Sequence, residues 1–195
     1  MGHARPATQE PRFGVPIADD APMNRFGTRC EQGPRHFAFH PTLRVLYTSN
    51  EQGNSVSAYA IGADGALTAA GEPVPTVPAD DSTKTHTSEI RVHPSGAMVF
   101  CTNRGQDTVA CFTVDQETGA LTQASRAKTA HTPQALELDP EGAFLYAAGA
   151  APGGESAKTD ILTAFQVDVG KGELVKVEEV PLGKSPIRLL AVTVP

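Results

Sequence analysis

No stretch of this sequence holds enough consecutive apolar residues to cross a membrane, and its amino-terminal MGHARPATQEPRFGVPIADD lacks the apolar centre of a secretory signal. The expected address is therefore cytoplasmic. Cysteine is scarce: Cys30, Cys101 and Cys111 are odd in number, with no CxxC and no Cys/His ligand spacing, which argues against a disulfide framework and a structural zinc site. Cys101 and Cys111 lie in apolar, strand-like runs and read as small buried side chains rather than reactive thiols. There is no basic excess either. Sixteen Lys and Arg against 22 Asp and Glu leave a formal charge of -6, which disfavours a sequence-independent nucleic-acid surface or an anionic-membrane surface. Helical periodicity is missing throughout, and nothing in the sequence calls for a metal or a cofactor.

What the chain does have is internal repetition. HFAFHPTLRVLYTSNEQGNSVSAYAIGADGALT and IRVHPSGAMVFCTNRGQDTVACFTVDQETGALT superpose almost without a gap. Pro41 and Pro94, Asn50 and Asn103, and Tyr59 and Phe112 are each 53 residues apart, and Phe112 and Phe165 repeat the interval. The third copy places Pro140 only 46 residues after Pro94, so about seven extra residues enter between its second and third apolar runs, in GAAPGGESAKTD. A fourth copy begins at SPIRLLAVTVP. Within each copy the runs are short, rich in β-branched and aromatic residues, and separated by turn signals, as in FAFHP, RVLYTSN, SVSAYAI and ADGALTAAG. Four short antiparallel strands per copy, at this period, predict an all-β chain: a partial β-propeller of about three four-stranded blades over 33–80, 86–130 and 132–182, with a final strand in 186–195. Residues 1–32 do not continue the repeat and read as an irregular tail or the remnant of a preceding blade.

Most recurring residues have structural roles. His40-Pro41, His93-Pro94 and Asp139-Pro140 open turns between the first two strands of each copy, and Gly96 and Gly142 finish two of them. His40 and His93 accordingly read as turn residues, not ligands. Asp64-Gly65, Thr118-Gly119 and Lys171-Gly172 mark hairpins into the outermost strand, and Leu46, Tyr47, Val99, Phe100, Leu145 and Tyr146 are expected core. The informative positions are those where an identical frame carries different chemistry. The position after the Asn that closes the second strand holds Glu51, Arg104 and Ala150; the start of the first strand holds Arg35, Ser88, Gln134 and Ile187, and its neighbour His36, Glu89, Ala135 and Arg188. A residue needed only for folding should recur in every blade. Groups that change from blade to blade at one end of the innermost strands point to a shared opening.

GPRHFAFHP, YTSNEQGNSV, SEIRVHPSG, CTNRGQDTV and DQETGALT together resemble the lactonase family of seven-bladed β-propellers, which includes bacterial 6-phosphogluconolactonases and fungal muconate-lactonizing enzymes. The resemblance runs from about Gly33 to Pro195 and corresponds to the carboxyl-terminal half of that fold. It implies a hydrolase acting without a metal on an anionic sugar lactone such as 6-phosphogluconolactone, with Arg35, Glu51 and Arg104 as catalytic residues and His36 and Glu89 as substrate-binding residues. The two guanidinium groups would hold the anion and the developing oxyanion, and Glu51 would act as general base or orient the attacking water. The third copy, TPQALELDP, lacks the larger polar pair the family often has after Pro, and the family's amino-terminal catalytic His has no counterpart; His3 lies outside any blade pattern. The alternatives are a truncated, inactive propeller fragment or binding scaffold, and a muconate-lactonizing cyclase. An open arc of blades leaves two apolar faces, so self-association through exposed blade faces is also expected.

Overall fold

A computed structural model describes residues 32–150, 160–183, 186 and 188–193. Among the described residues thirteen strands form three antiparallel sheets in chain order. The first contains β1 (Pro34–Phe39), β2 (Val45–Asn50), β3 (Ser55–Ile61) and β4 (Leu67–Ala69), with β5 (Val74–Pro75) also pairing with β3. The second runs β6 (Thr87–Val92), β7 (Met98–Asn103), β8 (Thr108–Val114) and β9 (Leu121–Lys128). The third runs β10 (His131–Leu138), β11 (Phe144–Ala150), β12 (Asp160–Asp168) and β13 (Glu173–Leu182). These are the three four-stranded blades the repeat predicted, and they start at Pro34, Thr87 and His131.

The second sheet lies between the other two, which explains its composition. In β7 every residue of MVFCTN is buried, because Val99 and Cys101 pack toward the first sheet while Met98 and Phe100 pack toward the third. One apolar layer joins Tyr47, Val56 and Ala58 to Ile90, Val99 and Phe112; the other joins Phe100, Val109 and Cys111 to Leu136, Leu145 and Phe165. Outermost β9, LTQASRAK, instead alternates half-buried and exposed along its length. Cys101 and Cys111 are buried in these layers, and burial pushes both thiols up, Cys111 to about 12.

The turn histidines bind the sheets to one another. His93 Nδ1 accepts the Ser95 amide at 3.1 Å, which leaves Nε2–H to donate 2.9 Å to the Gly142 carbonyl in the third sheet. His40 does the same one blade earlier, accepting from Thr42 and Leu43 amides and donating 3.1 Å to Gly96 O. Gly96 and Gly142 have φ of 78° and 76°, and a Cβ on either would overlap the imidazole it receives.

The fold departs from expectation in two places. Residues 188–193 form no strand: none of the described residues pairs with them, and Leu190 and Val192 stay exposed, so the β-prone sequence has no ladder to join. Tyr146 is half-buried rather than core because it faces away from the second sheet, on the side of β11 opposite Leu145. Residues 1–31 and residues 151–159, the body of the GAAPGGESAKTD insertion, fall outside the described residues. Both outer faces carry exposed apolar groups. Phe37 and Phe39, 63% and 59% exposed, stand on the first sheet where Ile90 and Leu136 are buried in the others, and Phe144, Val175 and Val180 stand on the third.

Candidate functional site

The innermost strands β1, β6 and β10 each begin with a break in register against their partner strand, between Pro34 and Phe37, Thr87 and Ile90, and His131 and Ala135. A bulge at this point re-aims the side chains it contains. Arg35 and His36 lie in the first bulge, Ser88 and Glu89 in the second. Glu51 and Arg104 follow the last residues of β2 and β7, and their amides are tied back across the same strand end, to Gly33 O at 2.8 Å and His86 O at 3.0 Å. The five expected residues therefore come from one end of two adjacent sheets. Ala150, the equivalent in the third, closes β11 opposite His131.

The side chains meet in two linked sets. Glu51 is held between two guanidinium groups: Arg35 Nε lies 3.6 Å from Oε2, and Arg104 donates to Oε1. Arg35 also donates to Ser88 Oγ at 2.8 Å. All three charged side chains remain about a quarter exposed, so the clamp is reachable from solvent. Beside it, His36 Nδ1 lies 2.9 Å from Glu89 Oε1. The same oxygen accepts Arg91 at 2.7 Å and the Ile90 amide at 3.1 Å, and Arg91 reaches on to Glu137 on β10 through Nε and its second amino group at 3.2 and 3.3 Å. Burial raises the Glu89 carboxyl, but Arg91, the His36 hydrogen bond and the Ile90 amide outweigh it and hold the group below the ordinary glutamate value. Glu89 is thus a buried, ionised acceptor.

The side-chain pairs that link one sheet to the next here lie one repeat apart in sequence. Arg35–Ser88, His36–Glu89 and Glu51–Arg104 are separated by 53 residues, and Arg91–Glu137 by 46, the shortened interval of the third copy. Sequence reasoning missed Arg91 and Glu137, although adding the repeat interval to Arg91 leads to Glu137 directly. A depression along the β7–β8 turn, lined by Asp81, Gln106, Asp107, Arg126 and Lys128, contains none of the five residues. Its polar groups already have protein partners, Lys128 with Gln106 O, Gln106 with Asp81, and Asp107 with His131 and the Thr132 amide. Among the described residues no group of His, Cys, Asp and Glu is arranged to hold a metal ion, and no helix is long and apolar enough to cross a membrane.

The family described as Lactonase, 7-bladed beta-propeller, matches residues 18–191. The chain belongs to that family. It is 29% identical over 155 residues to a 6-phosphogluconolactonase of Yersinia pestis, covering 80% of this chain and 44% of that protein. A 6-phosphogluconolactonase of Yersinia enterocolitica is 28% identical over the same shares. Among solved structures, the periplasmic gluconolactonase of Pseudomonas aeruginosa superposes with a TM-score of 0.70 at 24% identity, over 80% of this chain and 42% of that one. A Lactobacillus plantarum protein gives 0.69 at 24% identity, over 83% and 48%. These two likenesses concern the fold. The lactonase-family chain spans a little under half the length of the curated relatives it matches.

Proposed function

We propose that this chain carries the anion-binding part of a lactone hydrolase site, for a sugar lactone bearing a negative charge such as 6-phosphogluconolactone. The observation that carries the reading is the Arg35–Glu51–Arg104 clamp, which aims two permanently charged planar donors at one end of neighbouring blades. Guanidinium groups suit both a phosphate or carboxylate of the substrate and the oxyanion of the tetrahedral intermediate. Both oxygens of Glu51 are occupied by these cations, which favours a role in orienting the forks over one in taking a proton. The names of the Yersinia relatives support the substrate class.

Phe37 and Phe39 favour a further element of the same reading: two copies of the chain associate through their exposed blade faces, since hiding a phenylalanine contributes about 1.5–3 kcal/mol. In a lone chain the clamp side chains stay about a quarter exposed, which weakens their electrostatic hold, so monomers turn over slowly and assemblies faster. Steady-state hydrolysis of 6-phosphogluconolactone and of muconolactone, measured beside chain mass in solution, tests both. Arg35→Ala and Arg104→Ala should each lower kcat/KM by roughly 100-fold or more. A wild-type chain with no rate above background, or variants indistinguishable from it, overturns the reading.

A further inference from the structure

Resting on the lactone-hydrolase reading, we infer that His36 is the group that moves the proton, with Glu89, Arg91 and Glu137 as its positioning residues. A carboxylate can only accept, so the 2.9 Å contact with Glu89 Oε1 fixes the proton of neutral His36 on Nδ1. Nε2 then carries the lone pair. That nitrogen accepts an N–H of Arg35 at 3.4 Å, a long contact that is released when a substrate anion draws the guanidinium to itself, so the base and the anion clamp share one opening. The His36 amide is held by Ser49 Oγ at 3.1 Å, and Ser49 in turn donates to Ser88 O at 2.9 Å, which pins the bulge to the second sheet.

The orientation of the ring is set from outside the site. Glu89 is 8% exposed and takes three donors on one oxygen, so it has no freedom to swing away from the imidazole. Arg91 is itself forked onto Glu137 of the third sheet. A line of hydrogen bonds, Glu137–Arg91–Glu89–His36, thus crosses all three innermost strands and ends on the imidazole, whose Nε2 is the only nitrogen in it that can accept a proton. The charged and titratable groups around His36 are Arg35 and Glu51 from the first sheet and Glu89 and Arg91 from the second.

The chemistry balances with water as the second reactant. Nε2 takes a proton from water as its oxygen bonds to the lactone carbonyl carbon, and the carbonyl oxygen becomes an oxyanion facing the guanidinium groups. Collapse restores the carbonyl and breaks the ring C–O bond. The imidazolium returns its proton to the departing alkoxide, and the product is the open hydroxy acid. Glu51, with both oxygens held by arginine, has no part in the transfer.

The test uses the full chain and 6-phosphogluconolactone. His36→Gln should lower kcat by about 100-fold or more with KM little changed, since proton transfer by a positioned group is worth about 10²–10⁴-fold. It should also abolish the acid-side fall in kcat/KM, which reports protonation of the base. His36→Ala should be rescued by added imidazole in a saturable manner, a response no loss of packing would give, and Glu89→Gln should lower kcat less than His36→Gln. Circular dichroism checks that the variants fold. Should the wild type turn over while His36→Gln matches it, or while imidazole fails to restore folded His36→Ala, the assignment of His36 is overturned and the clamp reading stands. Absence of any wild-type turnover overturns both.

Discussion

His93→Ala removes the imidazole that joins the second sheet to the third, and its cost can be worked from the contacts. The Gly142 carbonyl is buried and loses its 2.9 Å donor, which costs about 1–3 kcal/mol for an acceptor left unpaired. The Ser95 amide loses its Nδ1 acceptor, about 1 kcal/mol more, and the vacated ring space adds to both. A total of about 3–4 kcal/mol corresponds to a fall in Tm of roughly 6–15 °C for a chain of this size. His93→Asn separates the two parts. The third sheet already uses an acid here: Asp139 Oδ1 accepts the Phe144 amide and closes the same turn without reaching another blade. The shorter amide of His93→Asn should therefore keep the turn and lose only the contact between sheets, about 1–2 kcal/mol. At His40 that same loss should be smaller, because Gly96 O keeps the Gln116 side chain at 3.2 Å. Urea unfolding followed by far-UV circular dichroism reads all three variants. A His93→Ala chain within about 0.5 kcal/mol of wild type, the range of an ordinary surface substitution, would refute the latch.

Glu89 is held below its ordinary value of 4.5, so its ionised form contributes stability that is present above that pH and lost as pH falls through the lowered folded value. Glu89→Gln should accordingly flatten the acid side of a stability–pH curve below about 4.5, measured by urea midpoints; parallel curves would discount the Arg91 and His36 contacts. Gly119→Ala should destabilise by more than about 1 kcal/mol in the same assay, since Gly119 has φ 74° and a Cβ would come 2.7 Å from Val45 Cγ2. Tyr47, whose hydroxyl donates 2.9 Å to Gly119 O and is pushed up to about 12 by burial, should show the disturbance as a lowered tyrosine titration in that variant. In a Cys30→Ser background, native protein should resist thiol labelling until urea is added, because Cys101 and Cys111 are buried and their thiols are raised; prompt labelling of either would contradict the two-layer core.

The sheets were legible because a propeller blade is a local object. Every strand but β5 pairs with a sequence neighbour, so the turn glycines and the alternating apolar runs carry nearly the whole ladder, and the starts at Pro34 and Thr87 follow from the 53-residue interval. The site was legible in part for a related reason: Arg35, His36, Ser88, Glu89, Glu51 and Arg104 were conspicuous because the frame around them did not change. What sequence could not supply was how the side chains divide among partners. That Glu51 lies between two guanidinium groups, and that His36 is held on Glu89, appears only once the sheets bring these side chains together. Tyr146 was misplaced because the pattern marks a residue as apolar without saying whether a further sheet covers that face. The terminal strand failed for want of a partner to pair with.

Contacts one period apart have a consequence for how such a site can arise. When a blade is copied, each residue at the inner end meets its own duplicate in the next blade, and a charged residue there would meet its like. Glu51–Arg104, His36–Glu89 and Arg91–Glu137 are the opposite: in each pair the two descendants of one position carry complementary groups. Identical repeats could build the sheets but never this opening, so divergence between adjacent copies has to be paired, one member changing sign against the other. The exchange Glu51→Arg with Arg104→Glu keeps that pair in reverse order but takes the carboxylate from beside Arg35, and each single substitution sets like charges side by side.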